Sequence, residues 1–185
     1  MNVQTRLTPV AERDHSLFTA EEFEAMIGMG AFQDMRAELV RGRIERMAPA
    51  YGAHGRSNAD LLVKLANVLR QHVFAVDLAV RVDPLTVRGL DIAVGPDGFE
   101  ERGLTSLDSL LLGVEIADTT LARDLGEKAG EFAGAGLANY WVVDLRARAV
   151  HVMREPVDGQ YEKVEVVRFG EELAVPGTER TIVLP

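Results

Sequence analysis

The stretch 113–145, GVEIADTTLARDLGEKAGEFAGAGLANYWVVDL, constrains the fold more than any other part of the chain. It reads as strand, helix, strand. The first strand, Leu110 to Ala117, is apolar except for Glu115. Because side chains alternate along a strand, Leu112, Val114 and Ile116 share one face, while Gly113, Glu115 and Ala117 share the other. The bulky face requires a core. The small face leaves room around an acid that must be solvated, paired or bound to a cation. The closing strand, Tyr140 to Leu145, is apolar enough to be buried, with Trp141 in the core and Asp144 at the following turn.

Thr119 and Thr120 are start signals for the helix, and Asp124 adds an acid to its first turn. At about 100° per residue, Leu121, Leu125, Ala129, Phe132 and Gly136 fall on one stripe, with Lys128 roughly 60° from its centre. From that edge Lys128 can bury its methylenes and return its amine toward the strand of Glu115. Asp124 and Glu131 share its flank, and spacing alone favours a solvated charge trio with Asp124 and Lys128 paired at i,i+4. Gly126, Gly130 and Gly134 line the opposite flank. They suit close packing on another element or on a second subunit, and we expect a homodimer.

The whole chain, 185 residues long, is one domain by size, with a loose arm at 1–17 and a domain over 18–185. Its composition, 47% hydrophobic and 26% charged, is that of a globular protein. With no cysteine there is no disulfide framework and no thiolate chemistry. No apolar run approaches a membrane span, and no signal-peptide core opens the chain, so a soluble cytoplasmic protein without membrane partners is expected. The net charge of −9 argues weakly against tight nucleic-acid binding, yet it is uneven. Residues 34–88 carry nine basic and six acidic side chains, a balance of +3 that leaves −12 for the rest. A phosphate-binding surface is allowed by this pattern but not indicated.

In chain order, Thr19 to Glu22 forms a capping box that opens a short helix through Ile27, ended by Gly28 and Gly30. Residues 37–48, AELVRGRIERMA, read as a hairpin turning at Gly42, with Glu38 in its first strand and Pro49 closing the second. A long helix is expected from Gly55 to Phe74, its apolar stripe running through Leu61, Leu65, Leu69 and His72. His54 precedes it, where a surface or capping role is the ordinary one. The other histidines show no ligand spacing, which argues against a zinc site. Two strands follow, Val76 to Val82 and Leu90 to Val94, joined through Pro84. In the second, Leu90, Ile92 and Val94 form a bulky face, and Gly89, Asp91 and Ala93 a small one. An acid flanked by small residues thus occurs twice, at Asp91 and at Glu115, which points to a common cleft. Two carboxylates brought together repel unless a cation sits between them, and a hard ion, Mg²⁺ or Mn²⁺, suits oxygen ligands. Residues 95–107 read as a polar, mobile loop. Strands at Val150 to Arg154, Tyr161 to Arg168 and Thr181 to Leu184 complete an antiparallel meander that extends the sheet.

The segments AELVRGRIERMAPA, LDIAV, GVEIAD, RDLGEK, AGLANYWVVD and RARAVHVMREP, together with His54, resemble in their joint order the Uma-two family of restriction-endonuclease-like bacterial proteins. The resemblance runs from Phe18 to the end of the chain. It implies the PD-(D/E)XK nuclease fold, an α/β (α+β) architecture with a central mixed sheet flanked by helices, and metal-dependent cleavage of phosphodiesters, with DNA as the partner. Carried over residue by residue, Asp91 matches the first acid of the motif and Glu115 the second. Ala117 stands where the lysine is usual, and Lys128 on the following helix takes its place. Glu38 matches an acid on the early strand, and His54 a histidine before the long helix. Leu90 replaces the proline of the motif, and Arg41 and Arg43 stand where acids are common.

The chemistry implied is that of an Mg²⁺- or Mn²⁺-dependent endonuclease: Asp91 and Glu115, with Glu38, hold the ion, and Lys128 orients water or neutralises charge developing on phosphorus. His54 and Asp124 are candidates for substrate contact or support. The rival expectation keeps the nuclease fold without the chemistry, as a homodimeric binding or regulatory module.

Overall fold

The computed structural model describes residues 16–47, 52–96, 99 and 103–185. The expected arm falls almost entirely outside these residues, and Pro49 lies outside them too. Helix α1 (Ala20–Gly28) starts with the capping box: Thr19 Oγ1 accepts the Glu22 amide at 3.2 Å, and the Glu22 carboxylate accepts the Thr19 amide at 2.9 Å. Strands β1 (Ala37–Val40) and β2 (Arg43–Arg46) form the hairpin, and Arg41 and Gly42 turn it with φ of 50° and 76°. Two positive φ values give the turn whose twist matches paired strands.

Helix α2 (Gly52–Val68) ends six residues before the sequence pattern suggests, because Val73 already begins a strand. Leu69 and His72 continue the 3.6-residue rhythm by coincidence; Leu69 is buried beyond the helix end. Strand β3 (Val73–Asp83) pairs antiparallel with β4 (Thr86–Gly95) from end to end, skipping Asp77 and Val82. Part of the expected 95–107 loop is ordered: β5 (Thr105–Ser106) lies parallel to β3, and Leu107–Ser109 makes a 3₁₀ turn. Strands β6 (Leu112–Ala117) and β7 (Asn139–Asp144) run parallel, joined by helix α3 over residues 121–134. Strands β8 (Ala149–Val157) and β9 (Gln160–Arg168) then extend the sheet antiparallel. The main sheet runs β2-β1-β4-β6-β7-β8-β9, with β3 and β5 attached at β4. The last expected strand does not join it. β10 (Glu172–Ala174) and β11 (Thr181–Val183) form a separate two-stranded sheet that closes over the core through Leu173 and Ile182.

The two faces of the sheet bury different clusters. Leu61, Leu65 and Leu69 pack on Ile92, Val114 and Trp141 on one face; Ala129 and Phe132 of α3 pack on Leu90, Tyr140 and Val142 on the other. Leu90 and Ile92 therefore face opposite ways, contrary to simple alternation. The cause lies at the middle of the β3–β4 ladder, where Asp77 takes a φ of 53° opposite Asp91 and the regular pairing skips that position. The glycine flank of α3 packs within the chain: Cβ atoms at Gly130 and Gly134 would meet Gly159 of the β8–β9 turn at 3.7 and 3.9 Å.

Candidate active site

A gap in the sheet forms the site. One edge of β4 is taken by β3. The other is shared by β1, which pairs at Val87, and by β6, whose pairing begins at Ile92. Between these positions lie Arg88, Gly89, Leu90 and Asp91, and side chains do what a neighbouring strand otherwise would. Glu38 Oε1 accepts the Gly89 amide at 3.0 Å, Lys128 Nζ donates to the Gly89 carbonyl at 3.1 Å, and Asp91 Oδ2 accepts the Ile116 amide at 2.8 Å.

Helix α3 supplies the lysine by an irregularity. It consists of Leu121–Arg123, a π-helical turn at Asp124–Lys128, and Ala129–Gly134. An i→i+5 turn rotates everything that precedes it relative to a regular helix. Asp124 and Lys128, which regular spacing leaves at the stripe's edge, are therefore fully buried, and the solvated trio does not form. Lys128 Nζ donates to Glu115 Oε1 at 2.7 Å and lies 3.1 Å from Glu38 Oε1. Asp124 is instead held by the Thr120 hydroxyl at 2.5 Å; its Oδ1 is buried without a hydrogen-bond partner among the described residues. Glu131 has moved to another partner, Arg88.

The other half of the site centres on Asp91. His54, in the first turn of α2, contacts Asp91 Oδ2 through Nε2 at 2.9 Å, and Arg36 reaches Oδ1 at 3.5 Å while pairing with Asp77 at 2.7 Å. Asp91, Glu115, Lys128, Glu38 and His54 thus line one cavity of about 120 Å³, with Thr120 and Arg123 at the start of α3 across from Arg36. Five of the six candidate residues converge, and Asp124 stands behind the wall. Arg88 and Glu131 escaped the sequence reading. The one sequence signal for Arg88 is a cation in a strand whose other side chains, apart from Thr86 and Asp91, are apolar.

Electrostatics separates the two acids. Burial disfavours the charged form of both. At Asp91 the His54 hydrogen bond and the Ile116 amide outweigh burial, and the carboxyl sits below its usual range. At Glu115 burial wins over the attraction of Lys128, with Asp91 and Asp124 adding repulsion, and the carboxyl is pushed up to about 8. Glu38 is also buried, but Lys128, the Gly89 amide and Arg88 hold it below the usual value. Burial likewise works against the Lys128 ammonium, and Glu115 and Glu38 overcome it to raise its pKa. Glu38, at 3.1 Å, is the second carboxylate that favours the Lys128 ammonium. Asp91 in turn raises His54, favouring the imidazolium.

Among the described residues, no three His, Asp or Glu side chains converge as a ready-made cage for an ion. The donor set nevertheless fits a hard divalent cation. Asp91 Oδ1 and Glu115 Oε2 make no hydrogen bond among the described residues, and both belong to side chains lining the cavity.

An interrupted mixed sheet thus brings two acids and a helix-borne lysine to one cavity. The chain belongs to the Uma2 family, described as "Putative restriction endonuclease", which it matches over residues 20–185. Its fold is similar to that of a crystal structure from Anabaena variabilis described as "a putative nuclease belonging to DUF820", with a TM-score of 0.63 and 19% identity over 86% of this chain and 89% of that one. At that identity the likeness is one of fold. No curated protein matches the chain. Among the described residues no helix is long and apolar enough to cross a membrane.

Proposed function

We propose that the chain is a metal-dependent endonuclease that hydrolyses phosphodiester bonds in DNA, with residues 18–185 as one catalytic unit. The reading rests on one observation above all: Asp91, Glu115 and Lys128, far apart in sequence, line the same cavity. Asp91 and Glu115 are the residues to hold Mg²⁺ or Mn²⁺, through the oxygens left outside the His54 and Lys128 contacts. When bound, the ion supplies Lewis acidity toward phosphoryl oxygen and lowers the pKa of a coordinated water. Lys128, fixed by Glu115, Glu38 and the Gly89 carbonyl, places a compact positive charge where negative charge develops on phosphorus. Glu38 serves as its second anchor. His54 holds Asp91 in one orientation and, as imidazolium, can donate a proton at the cavity wall.

The test is cleavage of plasmid DNA by purified protein in Mn²⁺. Wild type should nick or degrade it, and Lys128→Ala should not. Equal activity in both would remove Lys128 from the mechanism.

One observation favours a second reading, an inactive nuclease-fold module. Each candidate ligand already has an internal cationic partner, Asp91 in His54 and Glu115 in Lys128. That module would show a thermal upshift with Mn²⁺ or none, but no turnover on any DNA substrate.

A further inference from the structure

We infer that Arg88 is a positioning residue for Lys128, acting through Glu38 and itself anchored by Glu131. The inference rests on the nuclease reading for its purpose, though not for its geometry. Arg88 is 1% exposed, on the strand segment that has no neighbour on the site edge. Its guanidinium forms a fork with Glu131, Nε to Oε2 at 2.7 Å and Nη2 to Oε1 at 2.9 Å, while Nη1 donates to Glu38 Oε2 at 3.1 Å. Glu38 turns its other oxygen to Lys128. Four charges of alternating sign therefore run Glu131, Arg88, Glu38, Lys128 and end on the Glu115 carboxyl.

Such a chain is a poor device for stability alone. Ions taken out of water lose hydration that pairing only partly restores, and well-packed apolar replacements often match or exceed them. What the chain does supply is direction. A lysine side chain with four rotatable bonds has no preferred terminal position, whereas a guanidinium fork is planar and fixes the carboxylates it meets. Arg88 is clamped from two elements at once, α3 through Glu131 and β1 through Glu38, and Lys128 lies on the same helix as Glu131. The guanidinium thus ties the helix that carries the amine to the strand that receives it. Glu127, 3.4 Å from Arg88 and 3.2 Å from Arg41, links this chain to the surface without entering the cavity.

The experiment replaces the buried pair as a unit, Arg88→Met with Glu131→Leu, so that no lone charge is left behind. It reads three quantities: the melting temperature, Mn²⁺-dependent DNA cleavage, and the ¹⁵N signal of the Lys128 ammonium. The chain has only three lysines, Lys64, Lys128 and Lys163, and Lys128 alone of these is fully buried. Its ammonium should give the one slowly exchanging signal. The expected result is a folded variant of equal or higher melting temperature in which that signal broadens or moves and cleavage falls at least 10-fold. An unchanged ammonium signal in the folded variant overturns the inference. Should the double variant fail to fold, Glu131→Gln keeps the shape and drops the charge. A shifted ammonium signal there supports the inference, and a wild-type signal overturns it. If the wild-type protein cleaves no DNA, the nuclease reading fails, while the ammonium signal still decides the role of Arg88.

Discussion

Asp91 and Glu115 lie on neighbouring strands and line one cavity, yet they are built oppositely. Asp91 is approached by groups that reach solvent: Arg36 and Asp77 are 39% and 58% exposed, and His54 sits at the cavity's edge. Glu115 lines the same cavity, but among the described residues Lys128 is its one hydrogen-bond donor. The first acid is held ionised, the second is pushed toward its neutral form. Two carboxylic acids on neighbouring strands thus acquire different chemistry from their surroundings. For a cation, one half of the site is a standing carboxylate and the other must give up a proton as the ion arrives.

The largest break comes from Lys128→Ala. It takes the ammonium away from the ionised Glu38, leaving Arg88 as its remaining cation, and breaking a buried pair costs about 3–5 kcal/mol. Urea unfolding at pH 7 should show a loss of that order, and Mn²⁺-dependent cleavage should fall by about 10²–10³-fold or more. Retained stability would mean that Glu38 finds enough compensation in Arg88 alone.

Glu115→Gln sharpens the contrast through pH. Folding raises the pKa of Glu115 from 4.5 to about 8, so its contribution is complete below pH 4.5 and is lost as pH climbs through 8. Relative to the glutamine variant, wild type should therefore lose stability across that window, by on the order of 1–3 kcal/mol. Chemical denaturation at pH 5, 6.5 and 8 measures the difference. A gap that widens in the other direction would place Glu115 with the ionised acids.

The opposite pattern is expected at Asp91. Folding lowers its pKa below 3.8, so its contribution is present above that value and disappears as pH falls through the depressed one. Asp91→Asn keeps an acceptor for the Ile116 amide but weakens the contact with the His54 imidazolium. The cost should be about 1–2 kcal/mol at pH 7 and should shrink toward zero in acid. The two variants, melted side by side, ought to cross.

How far these features were legible in the sequence follows from which local rules held. The Thr19 capping box and the Arg41–Gly42 turn are short-range chemistry and appear as expected. Leu112, Val114 and Ile116 share a buried face because β6 is regular. Spacing placed Lys128 at the edge of the stripe, within reach of Glu115, but favoured a solvated trio, since it assumes 100° per residue and the π-helical turn at Asp124–Lys128 breaks that assumption. The same holds for Leu90, turned to the other face where Asp77 adopts a left-handed conformation. Arg88 and Glu131 were hidden for a different reason. Their partners are set by the gap between β1 and β6, a property of strand order and not of any local stretch. The irregularities that defeat periodicity gather around the candidate site.

The smallest predicted effect tests whether the Asp91 half is as open as its surroundings indicate. Arg36 meets Asp77 at 2.7 Å and Asp91 at 3.5 Å, and more than a third of its side chain is exposed. An exposed ion pair contributes below about 1 kcal/mol, because solvent screens it and two side chains lose freedom to form it. Arg36→Gln should accordingly change urea stability by less than that, and the difference should fade further in 0.5 M salt, where the screening length is only a few ångströms. A larger, salt-insensitive loss would mean that Arg36 is shielded from solvent in the working protein. The asymmetry between the two acids would then have to come from His54 and the Ile116 amide.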